Sequence, residues 1–194
     1  HGDDFTLLGW AHQLDWFRQQ VALEFQCKFR GRIGPASEDQ KSIRILNRIV
    51  EWTSEGIWYE PDQRHAEIIV ATCKLDSAKS VITPGTKDDK EQESDEEALE
   101  GCMATAYRAV VARGNYLSQD RSDIQFATKA LSHGMARPTQ GDWRGLKRMG
   151  RYLSNMTRYG VMFKYQSSHP VSVAVDTDFA GCMKSRKSTS GGVL

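Results

Sequence analysis

The sequence predicts a mixed α/β (α+β) fold, and three observations carry that expectation. Apolar residues recur at three- and four-residue intervals in several segments, as they do along one face of a helix. Other segments are short and rich in branched or aromatic residues, which suit a pleated, half-buried surface. Glycines and prolines fall between the two kinds and punctuate them. Hydrophobic residues make up 39% and charged residues 26% of the 194, the balance of a packed globular chain rather than a membrane or collagen-like one.

In chain order, Leu14, Phe17, Val21 and Phe25 mark a helix over 14–25, with Asp15 near the start, where the helix dipole favours negative charge. Gly31, Gly34 and Pro35 then break the pattern. Ile43, Ile45 and Ile49 predict a strand over 42–52, and Gly56 with Ile57-Trp58-Tyr59 predicts a second strand pairing with it. Asp62, after Pro61, is placed to cap a helix whose inner face would carry Ala66, Ile69 or Val70, and Cys73. Thr83-Pro84-Gly85 is a turn signal. The run after it, acidic at seven of its ten positions from 88 to 97, cannot bury enough surface to order itself and predicts an exposed linker.

Helical patterns return over 97–112, 124–135 and 143–159. In the last of these, Trp143, Leu146, Met149, Leu153 and Met156 align on one apolar stripe, which leaves Arg144, Lys147, Arg148, Arg151 and Arg158 for the solvent side. Gly160 is expected to end that helix, and 161–165 and 171–175 are strand candidates separated by a Ser-Ser-His-Pro turn.

The formal net charge of +1 hides an asymmetry: residues 1–100 carry −8 and residues 101–194 carry +9. Outside the one acidic run the chain is basic, as a nucleic-acid binder tends to be. No apolar stretch approaches the roughly 18 residues that a membrane-spanning helix needs, and 1–4 carry no basic-then-apolar leader. The chain begins without Met and stops within a strand-like run, so it reads as a fragment. Its four cysteines form no C-x-x-C pair, which favours reduced, mostly buried thiols in an intracellular protein. His12, His65, His133 and His169 show no metal spacing, and His65, just inside a helix start, reads as a packing or capping residue.

Asp3-Asp4 follows a glycine and precedes the apolar run 5–8. Adjacent strand residues point to opposite faces, so both carboxylates serve one site only from a tight hairpin turn, which Gly2 permits. Such a pair suits Mg²⁺, a hard cation held by one or two carboxylates and substrate phosphates. A solvated turn carries the same two residues, and the pair alone leaves both readings open. Asp176, ending an apolar strand with Asp178 two residues on, is open in the same way. The basic set from Arg144 to Arg158 fits either a backbone-tracking surface or a solvated helix face.

Taken in order, these segments resemble the Pol polyprotein of copia-type retrotransposons. Asp3-Asp4 is similar to the metal-binding turn of the reverse transcriptase palm, and Tyr59-Glu60-Pro61-Asp62-Gln63-Arg64-His65-Ala66 to the segment after the palm. Val81-Ile82-Thr83-Pro84-Gly85 resembles the turn that follows. Tyr116-Leu117-Ser118-Gln119-Asp120-Arg121-Ser122-Asp123-Ile124 resembles the connecting-helix motif, and Leu146-Lys147-Arg148 with Arg151-Tyr152-Leu153 the helix before the RNase H domain. Asp176-Thr177-Asp178-Phe179-Ala180-Gly181-Cys182 and Arg186-Lys187-Ser188-Thr189-Ser190-Gly191 resemble the first two RNase H strands. The segment around Ile45-Leu46-Asn47-Arg48 stands in the place of the primer-grip hairpin, with Asn47 where a glycine is usual.

The resemblance implies a partial reverse transcriptase palm and thumb-like region over 1–80, an acidic linker over 81–97, a helical thumb and connection region over 98–160, and the truncated start of an RNase H-like domain over 161–194. It implies two-metal phosphoryl transfer in the parent protein, an RNA-directed DNA polymerase with ribonuclease H. Asp3 and Asp4 would be polymerase metal ligands and Asp176 the first RNase H ligand, with Mg²⁺ as cofactor. The partners implied are an RNA template, a DNA primer, an RNA–DNA hybrid and dNTPs, with no membrane, in a cytoplasmic particle or the nucleus rather than outside the cell. Further ligands of both sites would lie beyond this chain, so the fragment is expected to be inactive by itself. Two other readings stand beside this one: a non-catalytic nucleic-acid-binding remnant of a decayed element, and a structural or interaction module built on the helices.

Overall fold

A computed structural model describes residues 4–86, 96–168, 171–181 and 186–193. The elements run α1 (Ala11–Glu24), β1 (Ser42–Ile45), β2 (Arg48–Trp52), β3 (Gly56–Glu60), α2 (Arg64–Thr72), α3 (Gly101–Leu117), α4 (Gln125–Ser132), α5 (Gln140–Ser154), β4 (Val161–Lys164), β5 (Ala174–Thr177) and β6 (Ser190–Val193). A single 3₁₀ turn, Ser122–Ile124, leads into α4. The mixed α and β content is the class that the periodicity predicts.

The strand expected over 42–52 is instead two strands folded back on each other. Leu46 and Asn47 take left-handed φ values of 48° and 66°, the two-residue turn whose twist matches a hairpin, and Ile45 pairs with Arg48 across it. Ile43, Ile45 and Ile49 alternate across this turn and so mimic one long strand in the sequence. β3 pairs with β2 as expected, with Val50 opposite Tyr59. β4 pairs antiparallel with β3, giving a four-stranded sheet in the order β1-β2-β3-β4. The strand candidates at 161–165 and 171–175 are therefore not partners: the second becomes β5, shifted toward 177, and pairs with β6 in a separate ribbon.

The core is helical. α2 contributes Ala66, Ile69 and Val70, α3 contributes Ala104, Tyr107, Val110, Val111 and Leu117, and α5 contributes Leu146, Met149 and Leu153, all buried. These are the faces that the three- and four-residue spacing picks out, and their burial is the main favourable term in folding. Tyr107 reaches across the bundle, its hydroxyl donating to the Leu131 carbonyl at 2.6 Å. Gly150 lets the loop after α2 approach α5: a Cβ there would lie 2.6 Å from Leu75 Cδ1. α5 opens on a capping box in which the Thr139 hydroxyl accepts from the Asp142 N–H at 3.3 Å and Asp142 accepts from the Thr139 N–H at 2.9 Å.

Three further expectations are corrected. The helix expected over 97–112 begins at Gly101, because residues 97–99 are drawn into backbone bonds beside the α5 cap, Leu99 to Pro138 and Gln140 to Glu97. Gly160 does not end α5, which stops at Ser154; a side chain at Gly160 would collide with the Trp58 ring, so glycine there serves a close approach between β3 and the chain entering β4. Cys27 and Cys102 are exposed and only Cys73 is buried among the described cysteines, all three as free thiols. Burial pushes the Cys73 thiol up to about 11, against the opposing charge of Lys147.

α1 has the predicted helix but no buried residue. Its aromatic and aliphatic side chains, Trp16 at 61% and Leu23 at 77%, stand in solvent, and Phe5 and Leu8 before it are irregular and exposed. A salt bridge of 3.0 Å from Arg32 to Asp15 ties the helix to the strand region.

Candidate nucleic-acid interface

The α5 spacing places Arg144, Lys147, Arg148 and Arg151 along one side of the helix, since residues three and four apart are neighbours. Part of that side is spent on contacts within the protein. Arg148 Nη2 donates to Thr83 Oγ1 at 2.8 Å while its Nε is buried with no partner among the described residues, and Arg151 Nε donates to the Lys79 carbonyl at 2.7 Å. These two arginines fasten the loop after α2 onto the helix. Arg158 lies four residues beyond the end of α5, where its Nε and Nη2 grip the Glu60 carboxylate at 2.9 and 2.8 Å. On the same side Arg144 is exposed and Lys147 half-buried.

Of the carboxylates singled out by sequence, Asp3 lies outside the described residues. Asp4 is exposed in irregular chain, and Asp176 is exposed on β5 opposite Gly191. Among the described residues no three His, Cys, Asp or Glu side chains come together to hold a metal ion. Asp178 Oδ1 accepts from the Thr189 N–H at 2.6 Å, which fastens the β5–β6 ribbon and gives that carboxylate a structural role.

Sequence reasoning missed the polar network between sheet and helices. Arg121, 1% exposed, grips Asp123 through Nε at 2.8 Å and Nη2 at 2.6 Å, donates to the Met156 carbonyl at 2.9 Å and stacks 4.5 Å from the Tyr159 ring centre. Tyr152 adds its hydroxyl to Asp123 at 2.9 Å. Burial works to raise the Asp123 carboxyl, but the Arg121 and Tyr152 hydrogen bonds outweigh it and hold Asp123 below the ordinary carboxylate range. Next to it, Asp120 accepts from Arg48 Nε at 2.8 Å and from the Tyr59 hydroxyl at 2.7 Å, and burial with this carboxylate pushes the phenol up to about 12. The Asp-Arg-x-Asp string at 120–123 was the available signal; its partners lie tens of residues away.

A second constellation gathers around the start of α2. Asp62 is held by Arg64 Nη2 at 2.6 Å and accepts from the Arg64 N–H at 3.1 Å; the N-cap of α2 is Gln63, so Asp62 closes the turn one residue ahead of the cap position expected for it. His65, expected as a packing residue, packs its ring 4.7 Å from that of Tyr116 and meets Arg113 Nη1 through Nδ1 at 3.1 Å. Because guanidinium only donates, His65 Nδ1 accepts there and Nε2 carries the proton, 3.8 Å from Asp62.

Comparison with known proteins finds similarity over somewhat less than half of this chain. It is 33% identical over 90 residues to the retrovirus-related Pol polyprotein from transposon RE2 of Arabidopsis thaliana, 46% of this chain and 6% of that protein. The corresponding polyprotein from transposon RE1 of the same plant gives 33% over 90 residues with the same coverage. An uncharacterized mitochondrial protein of Arabidopsis thaliana is 34% identical over 85 residues, 44% of this chain and 35% of that protein. The chain thus spans a small part of the curated relatives it matches. No family model and no solved structure matches it. No described helix is long and apolar enough to cross a membrane. The ordered motifs and these similarities agree: over 46% of its length the chain is similar to retrovirus-related Pol polyproteins from transposons, as its copia-type resemblance implied.

Proposed function

We propose that this chain is a reverse transcriptase and RNase H portion of a retrotransposon Pol polyprotein, and that its own residues bind the backbone of an RNA–DNA hybrid. The observation that supports this most is the 33% identity to transposon Pol polyproteins in a chain whose second half carries a net charge of +9. Lys147 and Arg144 on α5 are the proposed phosphate contacts, with Arg148 and Arg151 holding the surface beneath them. Asp3, Asp4 and Asp176 keep the role of Mg²⁺ ligands on the strength of the family resemblance. The described residues form no metal-holding group, so no catalytic step is assigned to this chain.

The reading is tested by titrating the purified chain into a labelled RNA–DNA hybrid at several salt concentrations. Binding is expected to weaken steeply with salt, and the Arg144→Gln, Lys147→Gln double variant to lower the slope of log K against log salt by about 2, near one per lost phosphate contact. Absent or salt-insensitive binding overturns the proposal.

A further inference from the structure

Three arginines gather around His65 and Tyr116, and two of them are balanced by a carboxylate. Arg64, from α2, is paired with Asp62, and Arg48, from β2, is paired with Asp120. Arg113, from α3, makes its hydrogen bond to the His65 imidazole, and among the described residues no carboxylate pairs with it. A guanidinium offers five N–H donors, so one bond to a neutral ring leaves most of its capacity unused. Arg48 also lies 5.7 Å from the centre of the Tyr116 ring, which is itself 42% exposed, and Arg64 keeps 59% of its side chain in solvent. Burial first, and then the charges of Arg113, Arg64 and Arg48 against the opposing pull of Asp62, hold the His65 imidazole below its usual range.

We propose that Arg113, Arg64 and Arg48, around His65 and Tyr116, form a phosphate-binding site. Its occupant is a phosphate oxyanion, supplied by a phosphodiester of a single nucleic-acid strand or by free phosphate. In the first case the neighbouring base stacks on the exposed Tyr116 ring, an arrangement that tolerates any base because every base has a π face. The Arg113 guanidinium is the one suited to take phosphate oxygens bidentately, Arg64 and Arg48 adding charge beside it while they stay on Asp62 and Asp120, and His65 in its Nε2-protonated form holds Arg113 in place rather than binding the anion itself. The strand-bound form rests on the nucleic-acid reading above; the free-phosphate form does not.

The test uses the whole 194-residue chain with two probes, a labelled oligothymidylate and inorganic phosphate, and follows the His65 ring resonances by NMR. Phosphate is expected to shift the His65 signals in the wild-type chain and not in Arg113→Gln. Arg113→Gln is expected to weaken oligothymidylate binding about tenfold and to lower the salt slope by about 1, and Tyr116→Ala to weaken it several-fold while Tyr116→Phe does not. Circular dichroism checks that each variant is folded, and the exposed Tyr116 pair carries the test if Arg113→Gln is not. If the oligonucleotide does not bind but phosphate shifts His65 through Arg113, the site stands as a free-phosphate site and its strand-bound form is overturned, while the hybrid titration decides the nucleic-acid reading separately. If Arg144→Gln, Lys147→Gln weakens the oligonucleotide while Arg113→Gln and Tyr116→Ala leave it and the phosphate response unchanged, this site is overturned and the nucleic-acid reading survives. No response to either probe overturns this site in both its forms.

Discussion

At the scale of single residues, the buried charge of Arg121 carries the clearest consequence. Removing one partner of a buried ion pair strands the other, which typically costs about 3–5 kcal/mol. Arg121→Ala is therefore expected to lower the unfolding free energy by about that amount, measured by urea denaturation, because Asp123 loses its charged partner and the Met156 carbonyl its arginine donor. The same pair sets an acid response. Asp123 has a folded-state pKa below its unfolded value, so its contribution is full above the unfolded value of about 3.9 and fades as pH falls through the lower folded one. Stability is expected to drop below about pH 4, and Asp123→Asn to flatten that part of the profile. His65 acts in a different window. Its depressed pKa means that the unfolded chain binds the proton first, so folding loses stability as pH falls from about 6.5 toward the folded value. The groups facing it are Asp62 and Arg64 on its own side, Arg113 and Tyr116 from α3, and Arg48 from β2.

Among the elements, the β1–β2 hairpin shows how a local rule can be broken and still read. Its turn needs two left-handed residues; Asn47 suits that conformation and Leu46 does not, since a branched-side-chain L-residue there costs roughly 1–2 kcal/mol relative to glycine. Leu46→Gly is expected to raise the stability by about 1 kcal/mol, read as a shift in the urea midpoint at constant slope, because the 41% exposed side chain adds little packing to offset the strain. The periodicity of β-branched residues could not reveal this turn, as no glycine or proline marks it. α5 is the opposite case. Its apolar stripe and its basic side were legible, and the structure seats Leu146, Met149 and Leu153 fully in the core, while the Thr-x-x-Asp cap that starts it at Gln140 was not read. What periodicity could not show was that Arg148 and Arg151 are spent on Thr83 and Lys79, or that Arg158 lies past the helix end on Glu60.

For the molecule as a whole, burial is uneven. α2 to α5 share one apolar core, whereas α1 buries nothing and β5 and β6 are exposed at every described position. Segments with few buried contacts open at low free energy cost. Amide hydrogen exchange is therefore expected to be near the unprotected rate in α1 and slowest in α3 and α5, and comparable protection of α1 would contradict this distribution. The polar networks that join the sheet to the helices, Arg48–Asp120–Tyr59 and Glu60–Arg158, hold segments 61 to 98 residues apart in sequence.

The amino-acid sequence by itself determined the α/β class, the inner faces of α2 and α5, the basic second half and the kinship with transposon Pol polyproteins. These are properties of composition, of periodic spacing and of motif order, each readable along one line of chain. Tertiary structure alone decided that β4 completes the sheet beside β3, that the acidic motif at 120–123 clamps sheet to helices, and that Arg113 meets His65. Such pairings depend on which distant surfaces the core brings into contact, and a guanidinium carries no mark in the sequence of the partner it will find.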